Sequence, residues 1–140
     1  MDTDSTRERL AAEGWKPRAL GGYIGAAGPL WTRRDDQGWR YGLLVDERHL
    51  NPAGVMHGGA LTTLLDHVVS TVAWEACERK PCVTLQLDSQ FLAAVTAGQF
   101  IEASASVRHR TRGLVFMQGQ VSADGQAVLS GQAILKVMSG

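Results

Sequence analysis

His57-Gly58-Gly59 stands directly before a long stretch of helical spacing, and a single carboxylate, Asp66, follows within it. Glycines at a helix start expose backbone N–H groups with no side chain in the way, and the helix dipole makes the spot mildly positive. A carbonyl oxygen gaining negative charge would be stabilised there, while Asp66 could serve the same reaction as a base. Within one chain the two groups sit roughly 10 Å apart along the helix, too far for one reaction centre. Setting the Asp66 of a second copy against the Gly58 of the first closes the gap. Taken alone, Asp66 equally suits a helical carboxylate paired with an Arg of a partner subunit.

The helix that must carry these groups is marked by Leu61, Leu64, Leu65, Val68, Val69 and Val72, which recur on one helical face. This spacing predicts a helix from 58 to about 78, about 30 Å long. Asp66 lies roughly 140° round from Leu61, turned away from the sheet, among Gly59, Thr62, Thr63, Ser70 and Ala73. A solvated helix face normally carries Lys and Glu, and between Gly58 and Ala73 there is no Lys, Arg or Glu. The face is therefore expected to be covered, most simply by a second subunit. His67, about 240° round from Leu61, is expected to be packed or solvent-facing rather than catalytic.

The remaining elements have to support that helix. Ser5-Thr6-Arg7-Glu8 fits a capping box and Gly14 fits a helix stop, which predicts a short helix over 5–13 within a peripheral 1–20 segment. Gly21, Gly22, Gly25 and Gly28 predict a loop; no Lys-Ser/Thr follows and no clear strand precedes, which removes a phosphate-cradling motif. Leu30 to Arg34 and Trp39 to Val45 flank Asp35-Asp36-Gln37-Gly38 as a hairpin. After the helix the period becomes two, at Val83, Leu85 and Leu87 and again at Ile101, Ala103, Ala105 and Val107. The runs Leu114 to Val121 and Ala127 to Val137 are joined by Asp124-Gly125, a hairpin turn signal. The expected fold class is α+β: a C-terminal antiparallel meander in a curved sheet covering one long central helix, as a single domain over 1–140.

Composition narrows the functional classes. The 140 residues carry 14 Lys plus Arg against 14 Asp plus Glu, so the bulk charge of a dedicated nucleic-acid binder is missing. No apolar run reaches the roughly 20 residues of a membrane span, and MDTDSTRERL lacks a signal-peptide start, so a cytoplasmic protein is expected. Cys77 and Cys82 have no His or Cys partners at zinc-site spacing; they are expected to be reduced thiols, and no metal is expected. No G-x-S-x-G elbow is present, which argues against a serine hydrolase.

The sixteen residues Asn51-Pro52-Ala53-Gly54-Val55-Met56-His57-Gly58-Gly59-Ala60-Leu61-Thr62-Thr63-Leu64-Leu65-Asp66 resemble the signature of the PaaI-like hotdog-fold acyl-CoA thioesterases. The resemblance continues through Thr84 to Leu92 and the Ala97-Gly98 turn toward the C-terminus, and is loose over the first 40 residues. It implies the hotdog fold, an oligomer in which two sheets join as a homodimer, usually forming a homotetramer. It also implies an acyl-CoA substrate, with coenzyme A as part of that substrate and no separate cofactor. In that family's terms Asp66 is general base or nucleophile and the Gly58 N–H polarises the thioester carbonyl. Asn51 and His57 would shape that corner, Gly59 would lie beside the substrate, and Thr84 would help hold the water across the subunit interface.

Arg108, Arg110 and Arg112 alternate along one strand face that the family sets beside the nucleotide; a solvated strand face with edge-protecting charges is the other reading. Trp74, Phe91, Tyr23 and Trp31 are the candidates for acyl-chain selection. Two further functions remain compatible with this fold: a non-catalytic acyl-CoA-binding or regulatory protein, and a dehydratase using His57 and Asp66.

Overall fold

The computed structural model describes residues 3–139. Its elements run α1 (Thr3–Ala12), β1 (Lys16–Arg18), α2 (Gly22–Ala27), β2 (Leu30–Asp35), β3 (Gly38–Leu44), α3 (Gly58–Ala76), β4 (Cys82–Phe91), β5 (Phe100–Arg110), β6 (Leu114–Ala123) and β7 (Gln126–Val137). The seven strands form one antiparallel sheet in the order β1-β2-β3-β5-β6-β7-β4. The apolar stripe of α3 (Leu61, Leu64, Leu65, Val68, Val69) is fully enclosed and packs with Ile101, Val115, Met117, Val121, Leu129 and Leu135 from the sheet. The helix-in-sheet arrangement of the hotdog fold is thus present.

The C-terminal half is not a simple meander. Strands β5, β6 and β7 follow one another, but β4 pairs with β7 at the far edge and not with β5. Residues 92–99 make this return, held by Met56 N–H donating to Val95 O and Val45 N–H donating to Gln99 O. One edge of β4 is therefore unpaired among the described residues, and Val83, Leu85 and Phe91 on that strand are exposed.

The helix ends at Ala76, two residues short of the expected 78, and Glu78 and Arg79 turn the chain with φ of 58° and 63°. No glycine marks this stop, so composition alone extends the helix. The expected hairpin turns are both present: Asp124 and Gly125 take φ of 50° and 79°, and β2 and β3 are joined through Asp36-Gln37. Gly22–Ala27, expected as loop, is a helix, and the three-residue strand β1 was not anticipated.

The N-terminal helix is better anchored than a peripheral one would be. Leu10, Trp15 and Trp31 form a second small core with Phe100, and the Trp15 ring meets Phe100 edge-on at 4.8 Å. Leu30 joins the α3 core, and side chains alternate along a strand, so its neighbour Trp31 points to the opposite face. Cys77 and Cys82 are free thiols in contact where α3 gives way to β4, and burial, then the neighbouring Cys77, pushes the Cys82 thiol up to about 11. At pH 8 only about one Cys82 in a thousand is then thiolate. Iodoacetamide should accordingly modify native Cys82 at least tenfold more slowly than a free cysteine peptide, as read by intact mass; equal rates would contradict the environment described.

Candidate functional site

The N-terminus of α3 is prepared by the segment before it. Asn51 Oδ1 accepts from Ala53 N–H at 2.9 Å and from Val55 N–H at 3.3 Å, closing a tight turn that aims the chain into the helix. Behind it, Arg48 donates to the carbonyls of Ala26 and Gly28, and His49 Nε2 contacts Ala27 O, so the end of α2 is clamped to this segment. His57 is the N-cap: its Nδ1 accepts from Gly59 N–H at 2.8 Å, and its carbonyl takes the N–H groups of Ala60 and Leu61. The Gly59 N–H is therefore already engaged by the His57 ring.

Gly58 is left as the helix-start N–H without a partner among the described residues. A side chain at this position would press on the Phe91 ring, whose nearest atoms lie 3.3 Å from where a Cβ would stand. Phe91 and Leu92 also wall an apolar recess of about 440 Å³ with Val55, Met56 and Leu61, opening at Gly58.

Asp66 lies two turns further along. It reaches the sheet edge and does not turn away from it: Thr84 Oγ1 on β4 donates to Asp66 Oδ1 at 2.8 Å. Ser70 Oγ stands 3.5 Å from the same Thr84 hydroxyl. Thr84 therefore orients Asp66 within its own chain. Asp66 Oδ2 has no partner among the described residues and is available as an acceptor. Of its expected neighbours, Thr62 and Thr63 turn their hydroxyls back onto the carbonyls of Gly58 and Gly59, while Ala73 is buried in the core. His67 is half-buried, and burial pushes its imidazole down against the opposing pull of Asp66, so it is neutral at pH 7.

The three arginines do not share a face. A bulge between Val107 and His109 shifts the register of β5 against β6, and one extra residue flips every later side chain. Arg108 lies with Asp88 and Gln132 on the sheet face away from α3, whereas Arg110 donates to Ala76 O at 2.8 Å and pairs with Glu78 at the end of α3. Arg112 sits in the turn after β5.

The aromatic candidates divide as well. Phe91 borders Gly58, and Trp74 lines a second cavity, of about 520 Å³, beside Ser70. Trp31 is locked in the small core across the sheet, and Tyr23 is exposed on α2. Arg18, Leu20 and Tyr41 line the cavity that holds Trp74 but belong to segments far away in the chain, and no local spacing links them to α3. A concavity of about 910 Å³ lies on the outer sheet face, where Ser and Gln side chains predominate; neither Asp66 nor Gly58 lines it. No described helix is long and apolar enough to cross a membrane.

Comparison with known proteins agrees with this fold. Human acyl-coenzyme A thioesterase 13 is 32% identical over 75 residues, 53% of this chain and 53% of its own length. A Pseudomonas aeruginosa protein described as a candidate esterase is 33% identical over 82 residues, 57% of this chain and 61% of its own. The chain thus spans little more than half the length of these curated relatives. Among solved structures, a Bacillus halodurans protein crystallised with CoA superposes with a TM-score of 0.79 at 21% identity, covering 98% of this chain and 91% of that one. Zebrafish thioesterase superfamily member 2 superposes with a TM-score of 0.76 at 18% identity and 99% coverage of both chains. The profile of the thioesterase superfamily matches residues 53–130, a span that holds the Gly58 helix start, Asp66 and Thr84, and the chain belongs to that superfamily.

Proposed function

We propose that the protein hydrolyses the thioester bond of an acyl-CoA, releasing the free acid and coenzyme A. The observation that carries this reading is that Asp66, a carboxylate oriented by Thr84, stands on the same helix whose start leaves the Gly58 N–H without a partner among the described residues. A thioester is activated enough for an oxyanion site and one base to suffice. Asp66 takes a proton from water, the resulting hydroxide adds to the carbonyl carbon, and the oxyanion is stabilised at the Gly58 N–H. The C–S bond then breaks, and the departing thiolate takes the proton from Asp66.

Gly58 and Asp66 stand about two helical turns apart on α3, too far for one reaction centre, so each centre combines Asp66 of one subunit with Gly58 of the partner subunit. The unpaired β4 edge with its exposed Val83, Leu85 and Phe91 supplies the surface for that dimer, by pairing with the same edge of a second copy. Coenzyme A phosphates suit Arg108 and Arg112, which have no carboxylate partner among the described residues, better than Arg110, which is held by Ala76 and Glu78.

Thiol release from a panel of acyl-CoA thioesters tests the reading, with wild type beside Thr84→Ser and Thr84→Val. Wild type should release thiol from at least one member. Thr84→Ser, which keeps the hydroxyl on Asp66, should stay within about threefold, and Thr84→Val should fall at least tenfold in kcat. Silence across the panel from folded wild type overturns the assignment.

A further inference from the structure

The cavity of about 520 Å³ beside Ser70 has an uneven chemistry. Its walls are apolar, from Leu20, Leu30, Trp74 and Pro81, and it opens next to the Asp66–Thr84–Ser70 hydrogen-bonded set. Among the described residues that line it, Arg18 carries the one permanent charge, beside half-buried His67; Glu75 acts on Tyr41 from outside the lining. Arg18 commits Nε to Thr32 Oγ1 at 2.8 Å, and its terminal nitrogens have no partner among the described residues. Tyr41 is 8% exposed, and its hydroxyl likewise lacks a partner while lining the same space. Burial, with a smaller contribution from the Glu75 charge, pushes the Tyr41 phenol up, so the hydroxyl stays a donor at neutral pH.

Resting on the thioesterase reading, we infer that this cavity receives the acyl chain and that Arg18, with the Tyr41 hydroxyl, selects acyl groups ending in a carboxylate. Arg18 is an exposed residue at the open side of this cavity, so a neutral alkyl end reaching it would displace part of its water without replacing those hydrogen bonds. A carboxylate restores them as charge-assisted bonds, and the planar guanidinium offers two parallel donors to its two oxygens. The methylenes between carboxylate and thioester lie against Leu20, Leu30, Trp74 and Pro81. Phosphates of coenzyme A fit such walls poorly, since a diphosphate gains nothing from apolar surface and loses its water there.

The test compares succinyl, glutaryl and adipyl thioesters with the butanoyl, pentanoyl and hexanoyl thioesters of equal carbon number. Each is presented on coenzyme A and on N-acetylcysteamine, to wild type, Arg18→Gln and Arg18→Lys of confirmed fold. Wild type should favour the carboxylated member of at least one pair by roughly tenfold or more in kcat/KM. Arg18→Gln should cut that preference at least tenfold on both carriers, and Arg18→Lys should retain part of it. A wild type without preference, or a preference untouched in Arg18→Gln, overturns the inference. Equal loss for both members of every pair on coenzyme A, with none on N-acetylcysteamine, would make Arg18 a phosphate contact and also overturns it. If no thioester is hydrolysed, the thioesterase reading fails by itself, and the Kd values of carboxyalkyl and alkyl thioethers of coenzyme A then decide: tighter binding of the carboxyalkyl ether, lost in Arg18→Gln, supports the selection and equal binding refutes it.

Discussion

Asp66→Asn is expected to lower kcat by about 10²- to 10⁴-fold, the range over which a positioned general base acts, with KM changed only modestly. The carboxamide has the shape of the carboxylate, and its oxygen can still accept the Thr84 hydroxyl that lies 2.8 Å from Oδ1. What it cannot do is take a proton from water at neutral pH. The substitution therefore separates chemistry from architecture: circular dichroism and the unfolding midpoint should stay near wild type while thiol release collapses. Asp66 is only partly buried on α3, so losing its charge leaves no enclosed cation unpaired, and a large stability change is not expected. A folded Asp66→Asn protein with wild-type turnover would remove Asp66 from the reaction and return it to a structural carboxylate held by Thr84.

The parts of this site that were legible in the sequence are those set by local chemistry. The glycine helix start and the apolar stripe from Leu61 to Val69 act within a few residues of one another and are found where the spacing puts them, and the Asn51 turn and the His57 cap, seen only in the structure, are equally local. What was not legible depends on distant partners. Gly22–Ala27 is helical despite poor glycine propensity because its terminal carbonyls are met by Arg48 and His49, twenty or more positions on. The shared face predicted for Arg108 and Arg110 fails on one bulged residue, which no alternation pattern reveals. Thr84 reaches Asp66 in its own chain because β4 crosses to the β7 edge, whereas a local reading pairs consecutive strands. Arg18 and Tyr41 come to the Trp74 cavity by the same kind of long-range folding.

Leu65→Ala should be among the most destabilising single changes, at about 2–5 kcal/mol, and its coupling to two glycines shows why. Gly119 and Gly131 face each other across β6 and β7, and fully buried Leu65 lies over them. A Cβ on Gly119 would stand 2.8 Å from Leu65 Cδ1 and 3.0 Å from Val69 Cγ2; one on Gly131 would stand 2.9 Å from Leu65 Cδ2 and 2.7 Å from Asp88 O. The leucine methyls thus fill the space these glycines leave. Each glycine-to-alanine change alone should cost about 1–3 kcal/mol through overpacking, measured from urea midpoints at fixed protein concentration with an unchanged slope. The pairs then diverge. With Leu65→Ala in place, the Gly119→Ala methyl enters vacated room, so the double variant should be more stable than the sum of its parts by about 1 kcal/mol. Gly131→Ala should recover less, because the Asp88 carbonyl that it meets is backbone of the neighbouring strand and cannot step aside. Equal recovery in both pairs would mean that β4 gives way as readily as a side chain, and β4 is the strand that holds Thr84 against Asp66.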